Sequence, residues 1–326
     1  MTGSLHIVPL EGKHLEDAAA LVCARYRALR EHAPLMPARY EAVEAILPFL
    51  HNLPQRAPGV AALRGGRLVG FLGAFVLPRF AGQQSAYSPE WGNAAVRDES
   101  RRIYEEMYTQ VSPAWLDAGC SMHIVGTLAH ERDTLETWHW LSFGLCAADA
   151  VRDLAPVPGT AADVEIRRAG LEDAETTAAF DLALHRHLAA APTFLFDEED
   201  GEELAYHQKW LADPANALWL AYDGAEAVAC MGQGPASPEA CALIADEGTT
   251  SIVIAYTQPQ ARGQGIALAL LNQVLAWGQA EGYERCAVDF EPMNTLAARF
   301  WPRHFQLACL YQARYVGGPA PEDKGP

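Results

Sequence analysis

Between residues 259 and 268 the chain reads Pro-Gln-Ala-Arg-Gly-Gln-Gly-Ile-Ala-Leu, with glycines at 263 and 265. Glycines just ahead of an apolar-periodic run suit a turn that leaves backbone N–H groups free at a helix start, where the macrodipole adds partial positive charge. Without a Cβ, the main chain can approach a phosphate closely. The chemistry implied is binding of a pyrophosphate. A Walker A loop is excluded, because no Gly-Lys-Ser/Thr follows. The dinucleotide fingerprint requires a small residue where Leu268 stands, although Asp289 on the next predicted strand keeps a nucleotide-dependent oxidoreductase open as an alternative. The bland reading is a helix start that happens to carry two glycines.

Such a turn needs a strand before it and a helix after it, and the periodicity supplies both. Ser251–Tyr256 reads as a β-branched apolar strand, and residues 263–280 place Ile266, Leu270, Leu271, Val274 and Leu275 on one helical face. Gly282 ends that helix, Cys286, Val288 and Phe290 alternate along a further strand, Leu296–Arg303 is a short helix, and Ala308–Val316 a last strand. Upstream, Val164–Arg168 reads as a strand and Leu171–Ala190 as a helix opening near Asp173. Leu218–Tyr222 and Ala227–Met231 form a hairpin in which Asp223-Gly224 suits a type I′ turn.

The first half of the chain repeats this order, with its hairpin at Arg64-Gly65-Gly66-Arg67. Leu15-Glu-Asp-Ala18 recurs as Leu171-Glu-Asp-Ala174, Trp115 is echoed by Trp277, and Asp133-Thr-Leu135 with Trp140 by Asn294-Thr-Leu296 with Trp301. The order is kept while the offset drifts only between 156 and 162, as loop insertions produce. Two copies of one fold follow, divided by a Pro- and Gly-bearing stretch without periodicity. The expected organisation is residues 1–153, a linker at 154–163, and residues 164–326.

Gln260-x-x-Gly263-x-Gly265 resembles the Q/R-x-x-G-x-G/A acyl-CoA signature of the GNAT superfamily of N-acetyltransferases, and Asn294-x-x-Ala297-Ala298-x-Phe300-Trp301 resembles that family's second signature. The resemblance covers about 164–316 and reaches the first half through the repeat. It implies two tandem α/β (α+β) domains of the acetyltransferase type, each a mixed, mostly antiparallel sheet flanked by helices. It implies acetyl-CoA as cofactor, with the pyrophosphate on the backbone from Arg262 through Gly263, Gln264, Gly265 and Ile266 to Ala267. Tyr256 and Thr257 would pair with the pantetheine arm like an added strand, an N–H there would face the developing oxyanion, and Asn294 would bond the arm or cap its helix. Many members carry an acidic tyrosine where this chain has Trp301, whose indole is a donor but not a useful acid. Tyr311 is the expected substitute. Glu247, with Asp246 beside it, is the expected general base, and His185 and His187 lie where the family builds its acceptor wall. The acidic run from Asp197 to Glu203 reads as a solvated loop, or a lid attracting cations. In the first copy Arg97, Ser100 and Arg102 replace Gln260, Gly263 and Gly265, and Asp133 replaces Asn294, so that copy is expected to be a degenerate domain without cofactor.

Composition bounds the partners. The 326 residues are 50% hydrophobic and carry a net charge of −17, which disfavours nucleic acid and anionic membrane surfaces and favours a cationic acceptor. No apolar run approaches a membrane span, and the start lacks a basic n-region. Seven scattered cysteines without a CxxC pair disfavour disulfides and a metal site, so a cytoplasmic protein, with oligomerisation left open, is expected. The function expected is acetyl transfer from acetyl-CoA to the amine of a small molecule by direct attack in a ternary complex. The alternative is a non-catalytic acyl-CoA-binding or regulatory protein.

Overall fold

The computed structural model describes residues 3–159, 162, 164–195, 203–236 and 242–317. The chain divides into two compact units: Met1–Ala148 together with Leu307–Pro326, and Asp149–Gln306. Both are mixed, mostly antiparallel sheets flanked by helices.

The first unit runs β1 (Leu5–Pro9), α1 (Leu15–His32), α2 (Val43–Leu50), α3 (Leu53–Arg56), β2 (Val60–Arg64), β3 (Arg67–Leu72), β4 (Phe75–Phe80), β5 (Gln83–Ser88), β6 (Asn93–Ala95), α4 (Ser100–Asp117), β7 (Met122–Leu128), α5 (Arg132–Trp140) and β8 (Gly144–Asp153), whose last residues fall in the second unit. β1, β2, β3 and β6 pair antiparallel in that order, β4 pairs antiparallel with β5, and β5 runs parallel to β7. Gly65 and Gly66 both sit at positive φ in the β2–β3 turn, as type I′ requires. The core centres on Trp115, Trp138, Tyr104, Tyr108 and Phe143.

The second unit runs β9 (Glu165–Arg168), α6 (Ala174–Ala189), α7 (Glu203–Ala212), β10 (Ala217–Asp223), β11 (Glu226–Pro235), β12 (Thr249–Thr257), α8 (Ile266–Ala280), β13 (Arg285–Phe290) and α9 (Thr295–His304). β9 to β12 form an antiparallel ladder in that order, and β12 continues parallel to β13. The β10–β11 turn departs from expectation. Asp223 pairs with Glu226, so the loop is Gly224–Ala225, and only Gly224 has positive φ, which rules out type I′.

The final strand, β14 (Gln306–Tyr315), belongs with the first unit, where Cys309 to Tyr315 pair antiparallel with Leu128 to Met122. The expected boundaries at 153 and 164 therefore mark a low-periodicity stretch but not the units: residues 149–163 go with the second unit and 307–317 with the first. A strand joins whichever sheet edge offers it a ladder, and that partner is not written into the linker. The helix starts also correct the repeat. Leu15 opens α1, whereas Leu171–Asp173 is a 3₁₀ turn ahead of α6, so the shared tetrapeptide is out of structural register by one turn even though the two copies are real.

Candidate functional site

The β12–α8 connection is built as a cradle. A 3₁₀ turn, Pro259–Ala261, leads into Arg262, and both Gly263 (φ +74) and Gly265 (φ +83) are left-handed. Any other residue is strained there. A Cβ on Gly263 would meet nothing within 4 Å, so conformation rather than crowding selects glycine at that position. Gly265 caps α8, whose first turn holds no acid. Among the described residues, none of the amides from Gly263 to Leu268 donates to a backbone carbonyl. These donors and the helix dipole together make an anion site. Arg262 is fixed beside it, its Nε donating to the Thr257 carbonyl at 2.9 Å and its guanidinium 5.7 Å from the Tyr256 ring centre.

A slot leads inward from the cradle. β12 and β13 pair from Thr249↔Arg285 only to Ile252↔Val288 and then part. On the other side of β12, Gly232 faces Ile254 and Gln233 faces Ile252, leaving Val253 as a bulge, 51% exposed. Such a bulge bends a strand and frees its backbone groups. The slot opens into a cavity of about 330 Å³ lined mainly by apolar side chains, including Leu184, Met231, Leu270, Phe300 and Trp301.

Of the expected cofactor residues, Tyr256, Thr257, Arg262, Gly263, Gly265, Ile266, Ala267, Asn294 and Trp301 line this cavity. Gln260 and Gln264 do not. They are exposed on the rim, Gln260 bonding Gln258, and Gln264 Nε2 donating to the Gln260 carbonyl at 3.2 Å. Asn294 caps α9, accepting from Ala297 N at 3.5 Å, and its Oδ1 lies 3.4 Å from His187 Nε2. Trp301 is buried against Phe300 and Phe305. Cys230 also lines the cavity, but burial pushes its thiol up to about 12, so it is no nucleophile at neutral pH.

The two expected catalytic residues are not brought to this cavity. Glu247 is exposed in the turn before β12. Val253 at the bulge is six positions further along the chain, about 20 Å away at the rise of a strand. Its neighbour Asp246 is occupied by Arg285 Nη1 at 2.6 Å and Thr249 Oγ1 at 2.6 Å. Tyr311 lies in β14 within the first unit, buried, its hydroxyl donating to Glu90 Oε2 at 3.3 Å. Both placements follow from direction and pairing: a residue entering a strand cannot serve the end of it, and Tyr311 sits where β14 pairs with β7 of the first unit.

A second cavity, of about 620 Å³, meets β12 at Val253 and Ile254 and is walled by α6 and α7. His185 lines it, whereas His187, half a turn on, faces the first cavity. It also contains Asp181 and His207, which the sequence reading passed over. Asp181 Oδ2 is 3.1 Å from His207 Nε2, and Oδ1 is 3.8 Å from His185 Nε2. The available signal was the i,i+4 spacing of Asp181 and His185 on one helix face. Of the acidic run, Asp197 to Glu202 lies outside the described residues, and Glu203 opens α7. Asp289, the ribose-acid alternative, is exposed on β13.

The corresponding region of the first unit is built differently. α4 starts at Ser100 directly after a 3₁₀ turn, Arg97–Glu99, with no left-handed residue between. Arg101 and Arg102 bond Glu105 and Glu106 one turn on. The strand matching β12 is broken into β5 and β6, and the first residue of β6 bridges the parting of strands: Asn93 Nδ2 donates to the Pro89 and Gly126 carbonyls, both at 3.0 Å. The residue before α5 is Glu131, not Asp133, which lies inside the helix, and Glu131 is held in an ion pair with buried Arg25, Nε to Oε1 at 2.7 Å.

Residues 182–305 match the model of the acetyltransferase (GNAT) family. Among solved structures, a GCN5-related N-acetyltransferase from Sphaerobacter thermophilus is 16% identical, with 97% of both chains covered and a TM-score of 0.62. A glucosamine N-acetyltransferase region of a fungal multi-domain β-N-acetylglucosaminidase is 10% identical, with 96% of this chain and 38% of that one covered and a TM-score of 0.55. A tandem GNAT protein from the clavulanic acid biosynthesis pathway is 14% identical, with 97% and 100% covered and a TM-score of 0.47. No curated protein matches the chain in sequence.

Proposed function

We propose, from the membership of residues 182–305 in the acetyltransferase (GNAT) family, that the chain transfers an acetyl group from acetyl-CoA to the amine of a small molecule. The observation that carries this is the left-handed Gly263 and Gly265 ahead of an acid-free helix start whose amides donate to no backbone carbonyl among the described residues. The residues fit coenzyme A: the cradle suits a pyrophosphate, and the open edge of β12 beyond Ile252, with the apolar cavity beside it, suits the pantetheine arm. When bound, acetyl-CoA supplies a thioester, whose C–S bond breaks as a C–N bond forms; an acceptor that arrives as an ammonium releases one proton before attack and a second ends on the thiol.

The chain's own residues hold and orient. Backbone donors between Arg262 and Ala267 bind the anion, the bulged backbone at Val253 offers an N–H to a carbonyl oxygen, and Asn294 holds the arm and caps α9. Direct attack is favoured over an acyl-enzyme because the cysteine lining the cavity is buried and held as a thiol. The first unit serves as a cofactor-free scaffold, since its turn has no left-handed residue and its strand gap is filled.

Calorimetry with coenzyme A on the intact chain is expected to give one site. Gly265→Arg is expected to weaken that binding at least 100-fold, with far-UV circular dichroism unchanged. Unchanged affinity would remove the cofactor assignment, and two sites would overturn the cofactor-free reading of the first unit. Amine-dependent thiol release then separates a transferase from a protein that only binds acyl-CoA.

A further inference from the structure

We propose that the second cavity selects a primary ammonium carried on an apolar, ring-sized body, with Asp181 receiving the charge and His207 positioning Asp181. This rests on the acyl-transfer reading above. The two cavities meet β12 at consecutive residues, Val253–Ile254 and Ala255–Thr257, so a ligand in the second reaches the strand beside the bulge. About 620 Å³ is room for a small molecule. Tyr206, Trp210 and Val253 supply apolar wall, and Tyr206 and Val253 are more than half exposed at 56% and 51%. Monomeric proteins leave such side chains clustered around a cavity where something docks.

Asp181 is a part-buried carboxylate in that space. Its side chain is 20% exposed, and the imidazole of His207, itself 3% exposed, sits 3.1 Å from Oδ2. Among the described residues His207 Nδ1 is buried without a partner, whereas Nε2 lies 3.1 Å from Asp181 Oδ2, which makes Nε2–H the donor to the carboxylate. That contact fixes one oxygen, while the other lies 3.8 Å from Nε2 of His185, whose side chain is 40% exposed. A carboxylate held in this way in a partly desolvated site binds an ammonium more strongly than one in water. Glu203 adds a second negative charge to the lining, and Lys209 a positive one.

The test is calorimetry with coenzyme A present, using 2-phenylethylamine and its neutral isostere 2-phenylethanol. The amine should bind at least 10-fold more tightly than the alcohol. Asp181→Asn should abolish that preference and leave coenzyme A affinity unchanged. His207→Gln, which keeps a donor, should preserve the preference, whereas His207→Ala should lose most of it; a purely structural histidine would not be rescued by glutamine. In turnover, Asp181→Asn should raise the KM for the amine at least 10-fold with kcat within threefold. Tyr206→Ala, at an exposed position, should weaken both probes alike, and it tests the placement even if Asp181→Asn misfolds. Equal binding of the two probes, a preference that survives Asp181→Asn, or no effect of Tyr206→Ala would overturn the proposal. So would a wild-type protein that binds coenzyme A but neither probe. Failure to bind coenzyme A at all would instead sink the reading beneath it.

Discussion

Trp301 shows what one residue can and cannot tell. Its indole lines the cofactor cavity and packs on Phe300 and Phe305, and the tyrosine offered as its replacement acid, Tyr311, is bonded to Glu90 in the other unit. A packing role predicts that Trp301→Phe keeps thiol-release turnover within a few-fold, and that Trp301→Tyr does not lower it; a 100-fold fall in kcat with coenzyme A affinity intact would give the indole a chemical role. The residues of the cradle were legible because a glycine ahead of a helix has a local physical reason. Glu247 and Tyr311 were misplaced because proximity of a side chain to a site is a tertiary property. His123, in the first unit, makes a pH-dependent prediction at the same scale. Burial among Tyr108 and Trp115 lowers its pKa to about 4 from the usual 6.5. The unfolded chain therefore binds the extra proton first, and the stability from the neutral ring is complete above about pH 6.5 and lost as pH falls toward 4. The loss is about 3 kcal/mol. Denaturant melts at pH 7 and pH 4 should show His123→Leu with that much less pH dependence than wild type.

At the scale of elements, the site is made by two strands that pair and then part. β12 and β13 hold register for four residues, then the bulge at Val253 turns β12 away. Strand existence and helix faces were readable from alternation and 3.6-residue spacing. The bulge was not, since it arises where Gly232 lets Ile254 press close, at 3.0 Å from a Cβ built there. α9 closes the slot, and its start depends on one side chain. Asn294→Ala should cost about 1 kcal/mol by loss of the cap. If Asn294 also holds the cofactor arm, the same variant weakens coenzyme A by more than Asn294→Ser, which keeps the cap. Equal affinities for the alanine and serine variants would reduce Asn294 to a cap alone.

At the scale of the whole molecule, the repeat and the two sheets could be read from the order of motifs, but the ownership of the last strand could not. β14 follows the second copy in sequence yet completes the first unit, with seven register pairs to β7 and side-chain bonds from Gln312 to the Leu135 carbonyl and Arg314 to the Leu141 carbonyl. An edge strand deprived of such a partner exposes a row of unpaired backbone groups and the apolar face behind them. Ending the chain after Gln306 should therefore damage the half that lies 158 or more residues upstream, not the half being shortened. Hydrogen exchange on the truncated protein should show peptides of β7 and α5 losing protection, while those of β12 and α8 keep theirs and coenzyme A still binds. If each copy instead held its own final strand, the opposite pattern would appear: β13 and α9 would open, the cofactor affinity would fall, and the first half would be untouched. Exchange rates resolved by peptide distinguish these outcomes in one experiment, because β7 and α5 lie wholly in the first unit and β12, α8, β13 and α9 wholly in the second.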